Sequence, residues 1–186
     1  MRTLRKRGAI LVDNLEIDNI YDILKGLSKD IALKIEFKQA LNAYLQDLVD
    51  SPVRSLADVI AFNKEHSKLE KIDEYDQDIM LEAQKTSGIG KQLNEALLNM
   101  TRLSKNGFEK LLTINKLDAV VTPFSRIDKI LDLGGYPGIV VPAGYLHGVP
   151  FGICFGGLKG SEPKLIEIAY SFEQATKIRK PPSTFI

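Results

Sequence analysis

GGYPGIVVPAGYLHGVPFGICFGGL, residues 134–158, holds eight of the chain's fourteen glycines and three of its eight prolines. Short apolar runs stand between them, Ile139 to Val141 and Phe151 to Phe155. Apolar runs of this length, bounded by Gly and Pro, read as strands joined by tight turns. Pro142 is expected to stop the first strand and Pro150 to open the second. A hairpin or a wider loop over PAGYLHGVP connects them. Gly134 and Gly135 let the chain turn before Pro137, Gly144 and Gly148 permit angles that a β-carbon blocks, and Gly152 and Gly156 leave room for close backbone approach.

Outward from this block the pattern continues. LDAVVT, Leu117 to Thr122, reads as a buried strand stopped by Pro123. SEPK, from Ser161, announces a final helix. Ser161 is placed to cap it, Glu162 suits the positive end of the helix dipole, and Pro163 is tolerated in the first turn. Leu165, Ile168, Ala169 and Phe172 give this helix an apolar face. Lys177, Arg179 and Lys180 suit its C-terminal end, and Pro181-Pro182 stop it.

Residues 1–116 have a different texture, charged and mainly helical. Ile31, Ile35, Leu41, Tyr44, Leu45 and Leu48 recur at helical spacing and predict an amphipathic helix from about Lys29 to Asp50. Ser55 then reads as the N-cap of a helix reaching Glu65, with Asp58 in its first turn. A third helix is expected over Asp73 to Thr86, ended by Gly88. A fourth runs from about Lys91 to Ile114, with Gly107 as its weak point. The basic start, MRTLRKRGAILVD, reads as a helix from Met1 to Arg7 that turns at Gly8 into a strand, Ala9 to Val12; its apolar run is too short for a secretory signal.

Composition sets outer limits. The chain has 186 residues, 44% apolar and 26% charged, with a net charge of +1. That length suits one domain with a real core. The charge balance creates no strong field for nucleic acid or an anionic membrane. No apolar run approaches the roughly 18 residues of a membrane span. The lone cysteine, Cys154, cannot form an internal disulfide and reads as a small core residue.

Chemistry-bearing motifs are scarce. TSGIGKQ echoes a phosphate loop at Gly90-Lys91, but Lys85 stands where its first glycine belongs and Gln92 replaces the hydroxyl that holds magnesium. GGLKGSEP enters a helix, yet Glu162 opposes an anion there. His66 and His147 are distant in sequence, lack metal-ligand spacing, and read as exposed polar residues. KLEKIDEYDQD, residues 68–78, reads as a solvated helix face. There is no GxSxG elbow. Residues alone therefore predict no catalytic centre, no metal and no cofactor.

The Gly-rich block resembles the C-terminal region of the amidase signature family, which includes bacterial amidases, fatty acid amide hydrolases and the A subunit of glutamyl-tRNA amidotransferase. The resemblance rests on Gly135-Tyr136-Pro137, on Val141 to Gly144, on Gly148 to Gly152, and on the helix that begins at Ser161-Glu162-Pro163 and carries Phe172 to Thr176. LDAVVTP, Leu117 to Pro123, is similar to the family's preceding strand. SPVRSLADVIAFN, Ser51 to Asn63, is similar to the plant amidases in particular.

The resemblance implies an α/β fold: the C-terminal part of the amidase signature fold, with mixed-sheet strands, a helical N-terminal half and a closing C-terminal helix. It implies one partial domain over residues 1–186. Gly135, Tyr136, Pro137 and Gly138 are then expected in a wall of the substrate cleft, with Tyr136 and Phe124 as candidates to line an acyl pocket. Family members cleave amides with a Ser–cis-Ser–Lys triad and a Gly/Ser-rich oxyanion segment. Both lie N-terminal to the region matched, and this sequence has neither. The chain is thus expected to be inactive alone and to need its small-molecule amide substrate's remaining site from a preceding portion. Two alternatives stand beside this: a non-catalytic amidase-like binding protein, and a subunit of a glutamine-dependent amidotransferase. Either would bring a partner chain that completes the sheet, whose edges at Leu117 to Thr122 and Ile139 to Val141 are left open. The compartment stays open.

Overall fold

The structure, a computed structural model, describes residues 1–124 and 126–181. In chain order the elements are α1 (Arg2–Lys6), α2 (Ile20–Lys25), α3 (Ser28–Asp47), α4 (Leu56–Glu65), α5 (Ile72–Tyr75), α6 (Asp78–Gln84), α7 (Lys91–Ser104), a π-turn (Lys105–Glu109), α8 (Lys110–Ile114), β1 (Val120–Pro123), α9 (Asp128–Gly134), β2 (Gly138–Leu146), β3 (Val149–Gly156) and α10 (Glu162–Thr176). They fall into two compact units, one of residues 1–26 with 101–186 and one of residues 27–100. The architecture is α/β, with a helical half and a three-stranded sheet.

The helical unit, residues 27–100, follows the sequence closely. In α3, Ala32 and Ile35 are buried with Leu93 and Ala96 of α7. The end of α3 is closed by Arg54, whose guanidinium donates to the carbonyls of Leu45 and Leu48 and so satisfies acceptors that a helix end leaves bare. Ser55 caps α4 as expected, its Oγ accepting from the Asp58 amide at 3.2 Å. The Arg54 amide and then the Ser55 hydroxyl donate to Asp58, which holds its carboxyl below the usual range. The expected helix over Asp73 to Thr86 is instead two, α5 and α6. Asp76 takes a positive φ of 45°, which ends α5, and its side chain accepts from the Asp78 amide to start α6. Residues 68–78 are largely exposed, but they wrap through turns rather than forming one helix face. His66 is only half exposed, its ring 4.3 Å from that of Phe62.

In the other unit the sheet order is β1-β3-β2, and both ladders are antiparallel, with one isolated parallel bridge from Phe124 to Ile153. β2 and β3 form the hairpin, and Leu146 faces Val149 across His147 and Gly148. Both turn residues have positive φ, 49° and 84°, the twist that a two-residue hairpin needs. Pro142 does not stop β2, which continues to Leu146 through a bulge between Pro142 and Gly144. β2 is an outer strand, so the amide that proline lacks is not needed on its free side. Pro123 likewise belongs to β1, the other outer strand, which begins at Val120 rather than at Leu117.

One sheet face is covered by α10 and α1. Val141, Ile153 and Phe155 are buried with Leu165, Ala169 and Phe172 of α10 and with Leu4 of α1. Cys154 points to the opposite face and is buried as expected; burial, and secondarily Asp128, pushes its thiol up. α1 turns at Gly8, with φ 90°. Ala9 to Val12 is not a strand, however. Strand structure comes from pairing, and among the described residues this run has no ladder partner; Ile10 is almost wholly exposed.

The Ser161 side chain does not cap α10. Its Oγ is buried near Gly157 with no hydrogen-bond partner, although Pro163 does lie in the first turn. Lys177 takes φ 45° and ends α10 at Thr176, so Arg179 and Lys180 lie past its last turn. Of the two prolines expected to stop it, Pro182 lies outside the described residues. No helix among the described residues is long and apolar enough to cross a membrane.

Candidate functional site

The segment Gly135–Gly138 joins α9 to β2, and each residue has a distinct local cause. Gly135 is the C-cap of α9 in the left-handed region, φ 63°, which a β-carbon disfavours. The Tyr136 amide donates to the Leu131 carbonyl at 2.9 Å, closing the helix end. The Pro137 carbonyl accepts from the Gly157 amide at 3.1 Å, and Gly138 pairs with Gly156 as β2 begins. A β-carbon at Gly138 would come within 2.7 Å of the Leu131 side chain, so that glycine lets α9 lie on the sheet. The segment is thus anchored at both ends by main-chain bonds. Gly135 and Gly138 are exposed, and Tyr136 and Pro137 half-buried.

Of these four residues, Tyr136 has the most side-chain contacts. Its hydroxyl donates to Glu109 Oε2 at 3.1 Å. Its ring centroid lies 5.1 Å from that of Phe108, which is fully buried. The Lys159 ammonium stands 5.9 Å from the same ring on the loop after β3. Gly134 passes under the ring, where any β-carbon would meet Cε2. Phe108 and Glu109 both come from the π-turn region of the long helix. Sequence reading missed this link, since Glu109 lies 27 residues before Tyr136 and no spacing rule joins them. Phe124, the other aromatic candidate, is not brought beside Tyr136 by any contact; it is half exposed, with φ 56°, and its ring is 5.6 Å from Phe151.

Burial, then the hydrogen bond to Glu109 and its charge, push the Tyr136 phenol up to about 12. A free tyrosine titrates near about 10, so the folded chain holds this proton more tightly than the unfolded chain does. The stability linked to it is whole below about pH 10 and is lost as pH rises toward about 12. The expected result is that the unfolding free energy of the native chain falls in that window relative to Tyr136→Phe, with no change in the difference at neutral pH. Urea titrations at stepped pH check it; a difference that stays constant through the window would show that Tyr136 titrates as a free tyrosine.

Among the described residues, no three His, Cys, Asp or Glu side chains converge as a metal site. His147 is exposed in the hairpin turn. The arrangement around Tyr136 offers surface, shape and a fixed phenol; it offers no nucleophile with a base beside it.

No protein-family model matches the chain. A protein of Arabidopsis thaliana described as a probable amidase is 58% identical over 98% of this chain. The A subunit of glutamyl-tRNA(Gln) amidotransferase from Thermoanaerobacter pseudethanolicus is 31% identical over 46% of it. Among solved structures, the native peptide amidase of Stenotrophomonas maltophilia superimposes with a TM-score of 0.88 over 97% of this chain at 34% identity. An amidase family protein from Bacillus anthracis does so with 0.83 over 98% at 32%. This chain spans 36% of the length of the Arabidopsis protein and 39% of that of the peptide amidase.

Proposed function

We propose, from the premise that this chain belongs to the amidase signature family as the C-terminal portion of its members, that it supplies part of the substrate cleft of an amide-hydrolysing protein and is silent alone. The observation that carries this reading is identity of 58% along nearly the whole chain to a protein of which it spans only 36%. Both compact units are then parts of one incomplete domain, and Gly135, Tyr136, Pro137 and Gly138 form a stretch of cleft wall. The reacting groups come from the family's preceding portion. There a serine hydroxyl attacks the amide carbonyl, its proton passing through the second serine to the neutral lysine. The amine leaves with that proton, and water then releases the acid. The wall contributes by holding the amide in place for attack, since orienting the reactants removes part of the barrier.

A second reading is favoured by the amidotransferase relatives and by the outer edge of β1, which pairs with no strand among the described residues: the remaining strands come from a separate partner chain. An antibody against α10 distinguishes the two. The first reading expects a natural polypeptide well above the 20.7 kDa of this chain. That longer form hydrolyses simple amides, and the 186-residue chain does so no faster than buffer. A single band near 20.7 kDa that co-purifies with a triad-bearing protein favours the second. Amide hydrolysis by the purified 186-residue chain itself would overturn both.

A further inference from the structure

We propose that Glu109 is the positioning residue for the Gly135–Gly138 segment, carried to the Tyr136 hydroxyl by a π-turn that the Asn19 side chain keeps wound. That the segment walls a substrate cleft rests on the reading above; that Glu109 holds it does not.

The argument starts at Gly107. Regular helix would run unbroken from Lys91 to Ile114, but residues 105–109 form a π-turn. Such turns arise where a side chain inserts beside the helix ladder. Here the inserted group is Asn19. Its Nδ2 donates to the Leu103 carbonyl at 3.0 Å, and its Oδ1 presses against Gly107, where any β-carbon would collide with it. The Ile17 and Ile23 side chains close on the same glycine. Oδ1 is buried beside Gly107 and, among the described residues, accepts no hydrogen bond.

The turn's consequence appears in the next two residues. Phe108 is buried under the Tyr136 ring, and Glu109 reaches its hydroxyl. Adjacent residues of one turn therefore grip both ends of one side chain. Gly134 lies against the ring and the Lys159 ammonium is 5.9 Å from its centroid, which limits the phenol's freedom. The charged and titratable groups facing Tyr136 are Glu109 from the helix and Lys159 from the loop after β3. Through Tyr136 the grip extends to the main chain of the segment, whose bonds run to Leu131 and Gly157.

Amide hydrogen exchange on the full 186-residue chain tests this. Glu109→Ala is expected to speed exchange at the Tyr136 and Gly157 amides about tenfold or more, the scale of a hydrogen bond to a charged group. Amides in the middle of α10 should keep their native rates. Glu109→Gln, which retains an acceptor, should restore slow exchange, and Asn19→Ala should reproduce the Glu109→Ala pattern. Tyr136→Phe, which keeps the ring, provides the same loss should the alanine variant fail to fold. In absorbance titrations, the tyrosine signal missing from Tyr136→Phe should move to lower pH in Glu109→Ala. Unchanged exchange at both amides, or equal acceleration throughout α10, would overturn the proposal. In the longer polypeptide carrying the triad, Glu109→Ala should raise KM and leave kcat. Faster exchange with KM unchanged would leave the positioning role standing and remove the cleft-wall reading.

Discussion

Replacing Phe108 by Ala is expected to destabilise the chain by about 3–5 kcal/mol, the cost of removing a fully buried aromatic side chain. Phe108 is wholly excluded from solvent and packs its ring against Tyr136. The loss combines transfer of the ring to water with a cavity that neighbours fill only in part. Its location limits relaxation, because the residue belongs to the π-turn and cannot slide along a regular helix. Urea unfolding followed by circular dichroism measures the change. A loss below about 0.5 kcal/mol, the range of surface substitutions, would mean that the ring is not packed as described.

Leu165→Ala is the second large effect, with an expected loss of about 2–5 kcal/mol. Leu165 lies on the inner face of α10, essentially unexposed, within the cluster that includes Val141, Ile153, Phe155 and Phe172. This cluster joins the hairpin to the final helix, so a hole there weakens the attachment of α10 to the sheet. The adjacent residue Ile166 supplies the contrast, since it is 59% exposed and its replacement by Ala should change stability by less than about 0.5 kcal/mol. Equal losses at the two positions would contradict the orientation of α10. The pair is measured in parallel thermal and urea unfolding.

Much of this architecture could be read before the structure, and the failures have physical causes. Apolar spacing located α3, α7 with α8, and α10, and the Ser55 cap located α4, although Tyr44, expected on the apolar face of α3, is exposed. Gly and Pro located the hairpin. What they could not reveal was which strands are outer ones. Pro142 ends a strand only where its missing amide would leave a neighbour unpaired, and the order β1-β3-β2 removes that neighbour. The same ignorance of pairing made a strand of Ala9 to Val12. Ser161 looked like a cap by residue type, yet its hydroxyl is occupied by packing near Gly157. The turn at Gly135 to Gly138 was legible through its glycine and proline chemistry; its place in a cleft wall rests on the family resemblance. The partner of Tyr136 was not, since Glu109 reaches it only because Asn19, 88 positions before Gly107, alters the helix.

The π-turn also has a bearing on how sequences are matched to this one. It accommodates one residue more than an unbroken helix needs, and each helical residue turns the chain by about 100°. A homologue whose helix runs straight through the same region must lack one position between Ser104 and Lys110. A correct alignment opens its gap there, even if the surrounding letters score better without one. Shifted by a single column, Glu109 would be compared with a residue on a different side of the helix, and its absence in the homologue would be an artefact of bookkeeping rather than a change of chemistry.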